Sequence, residues 1–536
     1  MKYFNDAIIG NKQMVASFTK KGELLRLFYS APDYKQFVDY MYTGVKINDS
    51  NLIKLHDDIN NLYNQEFVKD TNILKTDILN TYFKLKITQV DFIPIRHNIL
   101  VKKYTFKNEN TIDLDVNFLL HSKLLTDENN SISGKVIHNG IIQYAHDYCL
   151  TIASKNKNIS SHQINDTINN INTGTIQDKD YIGMSADSSI CFNMGTIKPN
   201  EQKELEIFIK INDNKDKYKM DEIENEIEKV KKIDFIKELE NTKKYWRKYV
   251  KDHTKIELKE ETPYEEKIKK IYNRTILLYP LLTNDVTGGI SASIEIDEEK
   301  TKCGRYAYCW PRDAVFVTKA LDLLGMEKES EKFYKVFCKN TQSKNGMWEQ
   351  RFYTDGRLAP CWGYQIDETA SVIFGVYEHY LRTKENKFLQ DSLKMCEKAM
   401  HFLERYINEL FDIKEEKDLV KKEIEETYKD RIVKIPVSYD LWEMHEGTHL
   451  YSLASIYAAY TSMLKIYDEI ELAKDASNNR LKQESISKQK EVINKQLEII
   501  KKFVLENLYD ENRKSFVRSA QDNKIDISIL GAVVPF

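Results

Sequence analysis

Two places in this chain gather tryptophan, arginine and carboxylate side chains. Gly304 to Asp313 reads Gly-Arg-Tyr-Ala-Tyr-Cys-Trp-Pro-Arg-Asp, and Ser438 to Glu443 reads Ser-Tyr-Asp-Leu-Trp-Glu. An indole face stacks on the C–H groups of a sugar ring, while a cation and a carboxylate fixed beside it hydrogen-bond the hydroxyls. Trp310, Arg312 and Asp313 therefore point to carbohydrate. Trp442 stands next to Glu443 and would desolvate that carboxyl, favouring the protonated form that a general acid needs. Local pattern alone leaves other uses open. Glu443 also reads as a charge near the start of the following helix, and Pro311 as the opener of a helix whose first turn gains from Asp313.

The elements that must hold these residues change character along the chain. From Asn5 to about Ile211, short runs alternate apolar and polar residues between Asn, Asp, Gly and Lys, as in Ile99 to Phe106 and Ile112 to Leu120. Period two at close spacing predicts antiparallel strands in a β-sandwich, assigned residues 1–213. The Asn-rich stretch Lys155 to Gly174 reads as an exposed connection. Residues 214–262 are charged and helical in period, with Phe235, Leu239, Tyr245 and Tyr249 on one stripe, which makes them a helical linker. Residues 263–536 are helical, with helices over Tyr264 to Leu282, Ala314 to Gly325, Glu327 to Thr341, Asp367 to Arg382, Asp391 to Phe411, Thr448 to Tyr467 and Ser487 to Leu508. Loops rich in Gly and Trp separate them and carry the distinctive motifs. Asp412 to Asp430 reads as a solvated, charged helix. The helix containing Tyr451 to Met463 has few charges, as expected of one enclosed by others.

Composition excludes several classes. The 536 residues carry 80 Lys and Arg against 83 Asp and Glu, a net charge of -3, so no field is available for nucleic acid or an anionic membrane. No apolar stretch reaches the length of a membrane span, and the N-terminus lacks the pattern of a secretory signal. Seven cysteines, at 149, 191, 303, 309, 338, 361 and 396, are odd in number and lack metal-ligand spacing. A reduced, cytoplasmic protein without a metal or other cofactor is the expectation.

The two motifs resemble the active-site segments of glycoside hydrolase family 15, the glucoamylase-like enzymes. Asp440-Leu441-Trp442-Glu443 matches the family's acid segment, which makes Glu443 the implied general acid. Trp310, Arg312 and Asp313 match the segment that grips the nonreducing-end glucose. A third block, Asn345 to Gly356 and Cys361 to Thr369, resembles the loop with a Gln-x-Asp pattern ahead of a barrel helix. It implies Gln365 and Asp367 as site residues and Trp348, Gln350 and Trp362 as wall groups, although Asp367 equally reads as a helix N-cap. Thr287-Gly-Gly resembles the loop after the first barrel helix, its glycines permitting tight turns. Where the family often has a second Glu after the acid, this chain has Met444, with His445 or Glu446 as substitutes.

The implied architecture is an N-terminal antiparallel β-sandwich followed by an (α/α)6 barrel, an α/α toroid of the six-hairpin glycosidase type. Seven helices against twelve, and no match to the later segment that supplies the general base, lead to the expectation of an incomplete barrel and very low hydrolysis by these 536 residues. The implied activity is exo-acting, inverting release of glucose from α-1,4-glucans or maltooligosaccharides, with no cofactor. A trehalase of the same family, a disaccharide phosphorylase and a noncatalytic glycan-binding protein are the alternatives.

Overall fold

The computed structural model describes residues 5–31, 33, 36–125, 132–146, 148–165, 176–178, 180–213, 219–295, 306–412, 438–472 and 480–536. Most of the charged run after Asp412, the latter half of the Asn-rich stretch, and Cys303, Gly304 and Arg305 lie outside these residues. The chain divides into two compact units, Met1–Asp285 with Ile294–Arg305, and Val286–Ser293 with Tyr306–Phe536.

In the first unit the alternating runs form antiparallel sheets, one of nine strands and one of five. Ile99–Asn108 lies between Leu85–Phe92 and Gln202–Asp213 in the larger sheet. Leu114–Leu124 lies between Val38–Ile47 and Asp187–Ile197 in the smaller. Leu100, Tyr104 and Phe106 meet Phe118 and Leu120 in a shared core. Leu205, Ile207, Ile209 and Ile211 also join that core, whereas Phe208, on the opposite face, packs with Ile223, Ile227, Val230 and Phe235. Those last four come from α1 (Met220–Lys231) and α2 (Phe235–His253), which cover the outside of the larger sheet. A strand covered on both faces loses its polar alternation, which explains the apolar run there.

The α2 stripe sits differently from its expected position. Phe235, Thr242, Trp246 and Val250 are its buried residues, and Trp246 is wholly enclosed. Tyr245 and Tyr249 pack at its edges. The spacing 242, 246, 250 follows the helical repeat more closely than a stripe centred on the tyrosines. Helix α3 (Pro263–Leu282) opens with a capping box, Thr262 with Glu265, and with Pro263 in its first turn. It packs Leu277 and Leu281 against Val15 and Phe28. Arg274 donates to Asn72 Oδ1 at 2.7 Å and to the Ile8 carbonyl at 2.8 Å.

The sandwich core also contains a polar cluster that alternation does not foretell. Lys102 Nζ donates to Asp91 Oδ1 at 2.5 Å, Gln89 Nε2 donates to Asp91 Oδ2 at 2.6 Å, and His56 Nε2 lies 2.9 Å from Gln89 Oε1. Pairing offsets the cost of burying these charges. Burial pushes the His56 ring down to about 3, despite the Gln89 contact.

The second unit carries α4 (Pro311–Leu323), α5 (Glu327–Lys332), α6 (Ile366–Thr383), α7 (Asn386–Leu410), α8 (Leu450–Leu472) and α9 (Arg480–Asn507). Helix α5 runs on through a wider π turn, Phe333–Cys338. Helix α7 starts earlier than Asp391 because Phe388 and Leu389 already face inward. Helices α6 and α8 pack on one another and are buried on most sides, and α4 packs on α6. The double glycine has a steric cause: a Cβ on Gly288 (φ 80) would sit 2.6 Å from Phe333 N, and one on Gly289 would sit 2.3 Å from the Thr354 carbonyl. Beyond the 3-10 turn Ile527–Ala532, the Phe536 ring packs among Phe316, Phe374 and Tyr451. Among the described residues, no helix is long and apolar enough to cross a membrane.

A buried neutral histidine couples folding to pH. The unfolded chain takes up a proton near pH 6.5 and the folded one does so only near 3, so His56 contributes stability above pH 6.5 that is lost as pH falls. Between pH 6.5 and 5, urea titrations should show unfolding free energy falling by up to about 1.4 kcal/mol per pH unit through this residue. His56→Gln should lessen that slope, leaving the part due to His121, whose ring burial lowers to about 4.

Candidate active site

Trp310 occupies the N-cap position of α4 and Pro311 the first helical position, where the missing N–H costs nothing. The Trp310 side chain makes no capping bond. Its indole Nε1–H instead donates to Glu443 Oε1 at 2.8 Å, which brings the two principal sequence motifs together. Next to it, Arg312 is only 7% exposed. Its Nη1 lies 2.6 Å from Asp367 Oδ2 and 2.9 Å from Glu368 Oε1, and Nη2 lies 3.3 Å from Asp313 Oδ2. Its main-chain N–H donates to Glu368 Oε2 at 2.6 Å.

One buried cation is thus shared by three carboxylates. Burial alone would lower the Arg312 guanidinium, but Glu368, Asp367 and Asp313 hold it well above its ordinary value. For Glu368 burial dominates and pushes the carboxyl up, Arg312 pulls against it, and Asp367 and Asp313 add to the rise. Tyr451 of α8 feels the same cluster, its phenol raised first by burial and then by Asp367.

Glu443 does not start a helix. It sits in the turn between two short paired strands, Ser438–Tyr439 and Glu446–Gly447. Asp440 builds that turn: Oδ1 accepts the N–H groups of Met444 at 2.8 Å and His445 at 3.0 Å, and its carbonyl accepts from Glu443 N at 2.9 Å. Glu443 is held at φ 60, left-handed backbone that costs a non-glycine residue roughly 1–2 kcal/mol. The turn is fastened to the start of α6, where Gln365 Nε2 donates to the Asp440 carbonyl at 2.8 Å and Ile366 N to Ser438 Oγ at 3.1 Å. Asp367 does not cap α6. Gln365 holds the cap position, and the Asp367 carboxylate is spent on Arg312.

Two tryptophans sit otherwise than their sequence neighbours suggest. Trp442 is 46% exposed and donates its N–H to Asp526 Oδ1 at 2.9 Å, so the indole that touches Glu443 is Trp310. Trp348 is 0% exposed, with its indole N–H on the Cys338 carbonyl at 2.9 Å and its main-chain N–H on Thr369 Oγ1 at 3.0 Å. It braces the loop from behind and presents no face to a ligand. Trp362, 52% exposed, does present one. Gln350 is buried, accepts the Trp362 N–H at 3.5 Å, and leaves its Nε2 without a protein partner. His445 and Glu446 are exposed.

Three residues went unmarked in the motifs. The Arg351 guanidinium lies 4.6 Å from the Tyr308 ring centroid, 5.4 Å from Trp310 and 4.3 Å from Trp362, and Nε donates to the Pro360 carbonyl at 2.7 Å. An arginine in an aromatic-rich block was the available signal. Glu349 is half-buried, and burial pushes its carboxyl up with no opposing charge. Glu349 and Glu443 both act electrostatically on the Cys361 thiol, which burial raises first. Glu368, the third, gave no signal, since an acid in a first helical turn is commonplace. Among the described residues no group of three or more His, Cys, Asp or Glu is arranged to hold a metal ion.

The description of Glycosyl hydrolases family 15 matches residues 266–535. The chain is 26% identical over 557 residues to an uncharacterized glycosyl hydrolase of Methanocaldococcus jannaschii, an alignment that covers 99% of this chain and 78% of that protein. A bacterial glucoamylase complexed with acarbose is similar in structure, with TM-score 0.75 at 15% identity over 99% of this chain and 75% of that one. A putative kojibiose phosphorylase from human microbiome gives TM-score 0.58 at 12% identity, over 95% and 68% of the two chains. At such identities both structures speak to the fold: a sheet-rich N-terminal region followed by the helices of an α/α toroid.

Gly363 tests how the Glu443 turn is seated. A Cβ there would come 2.3 Å from the Tyr439 ring. Gly363→Ala is expected to cost about 1–3 kcal/mol through overpacking, read as a lower thermal unfolding midpoint.

Proposed function

We propose, from the premise that this chain belongs to glycosyl hydrolase family 15, that it is an exo-acting, inverting α-glucosidase releasing glucose from the nonreducing ends of α-1,4-glucans or maltooligosaccharides. Its membership makes it a glycoside hydrolase; the substrate and the stereochemistry are our reading. The observation that supports this reading is the Trp310 to Glu443 hydrogen bond, which ties the proposed acid to the residue two positions before Arg312.

In this reading Glu443 gives its proton to the bridging oxygen as the glycosidic bond breaks, and the Trp310 N–H fixes the carboxyl that does so. Arg312 and Asp313 hold hydroxyls of the terminal glucose, so a chain end is accepted and a chain interior is not. Trp362 offers an exposed face for a further sugar ring. Inversion also requires a carboxylate about 6.5–9.5 Å away across the ring to activate water.

Proton NMR of maltotriose digests tests the proposal. Whatever glucose is released is expected first as the β-anomer, at a rate independent of added phosphate. Glu443→Gln should lower kcat by roughly 100-fold or more while calorimetric affinity for maltotriose stays near wild type. Glucose 1-phosphate formed only with phosphate would replace this reading by phosphorolysis, and binding without turnover in the wild type would replace it by a noncatalytic glycan-binding role.

A further inference from the structure

Helix α4 begins with an unusual deficit. Its N-cap residue, Trp310, has no side-chain oxygen to offer the exposed N–H groups of the first turn, and its indole N–H is committed to Glu443. Helix N-termini normally satisfy such donors with a Ser, Thr, Asp or Asn at the cap. Here the acceptor comes from another helix: Glu368, in the first turn of α6, takes the Arg312 main-chain N–H on Oε2 at 2.6 Å. With its other oxygen the same carboxyl meets Arg312 Nη1 at 2.9 Å. Glu368 therefore hydrogen-bonds the backbone of one arginine and sets a carboxyl oxygen beside its guanidinium as an ion pair, without a hydrogen bond at that second end. It is 0% exposed, so it touches no ligand itself.

We propose that Glu368 is a positioning residue that caps α4 from α6 and thereby aims Arg312, so that sugar recognition by Arg312 and Asp313 depends on a side chain that never meets the sugar. The sugar-binding part of this inference rests on the glucosidase reading; the capping part does not. Asp367 does not duplicate it. Asp367 reaches only the guanidinium, at 2.6 Å, and makes no contact with the Arg312 main chain; among the described residues its Oδ1, like Glu368 Oε1, makes no hydrogen bond. Removing Asp367 would loosen the tip of Arg312, whereas removing Glu368 frees its root as well. A glutamine at 368 has a carbonyl oxygen for the main-chain N–H but no charge to set beside the guanidinium, so it keeps the cap and loses the ion pair.

Amide hydrogen exchange on the ligand-free chain decides the capping claim without reference to activity. In Glu368→Ala, and in the similarly sized Glu368→Met should the alanine variant fail to fold, exchange of the amides from Arg312 to Val315 is expected to quicken at least about tenfold, whereas Asp367→Asn leaves the Arg312 amide near its wild-type rate. Unchanged exchange at Arg312 in both Glu368 variants would overturn the proposal. Maltotriose calorimetry tests the aiming claim: Glu368→Gln should bind at least about tenfold more weakly than wild type, with an unfolding midpoint close to it. Unaltered affinity would overturn the aiming claim. If wild-type protein binds no maltotriose while the exchange result appears, the cap stands and the glucosidase reading falls.

Discussion

The second unit is organised around a positive charge that cannot leave. Arg312 is buried, and a guanidinium is too basic to shed its proton, so its surroundings must supply negative charge. Asp367 and Glu368 supply it from the first turn of α6, and Asp313 from the first turn of α4. Acids at these positions are favoured twice over, by the partial positive charge of each helix N-terminus and by the arginine between them. The same cluster fixes where the two helices begin relative to one another. Displacing either would strand a charge, a loss of about 3–5 kcal/mol for a broken buried pair.

From that anchor the remaining site follows by short steps. The residue before α6, Gln365, holds the Asp440 carbonyl, and Asp440 shapes the turn that lifts Glu443 into a left-handed conformation. The residue before α4, Trp310, meets the Glu443 carboxylate. Both helix starts therefore work through the residue that would ordinarily be their cap, and neither cap side chain caps its own helix. The unmet donor at Arg312 is made good across the gap by Glu368. Side chains committed to other helices and loops have displaced the local solution, and tertiary contacts have replaced it.

The aromatic residues divide along the same line. Trp348, wholly buried, braces the loop through the Cys338 carbonyl, while Gln350 meets the Trp362 backbone. Arg351 lies against three aromatic rings, which keeps Trp310 and Trp362 in a fixed relation. Among the described residues, the half-buried Glu349 next to these groups has no opposite charge that offsets its burial. Such uncompensated groups concentrate where ligands act.

Order along the chain was readable in advance because it depends on local periodicity. Period two pointed to the sheets before Ile211 and period 3.6 to the helices after Pro263, but the bounds moved: α4 begins at Pro311, Phe388 and Leu389 extend α7, α8 runs on to Leu472 and α9 begins at Arg480. In α2, before Pro263, Trp246 took the stripe from its neighbouring tyrosines. The motif types were likewise visible, since Trp-Pro-Arg-Asp and Asp-Leu-Trp-Glu are short and contiguous. Partnership was another matter. Spacing made Trp442 the natural companion of Glu443, Asp367 the natural cap of α6 and Trp348 a natural wall, yet packing assigned Trp310 to Glu443, Asp367 to Arg312 and Trp348 to the core. Glu368 and the buried Lys102–Asp91 pair left no local trace at all. Periodicity reports which face of an element is buried, but a hydrogen bond between residues far apart in the chain is set by how those faces meet, and that is written only in three dimensions.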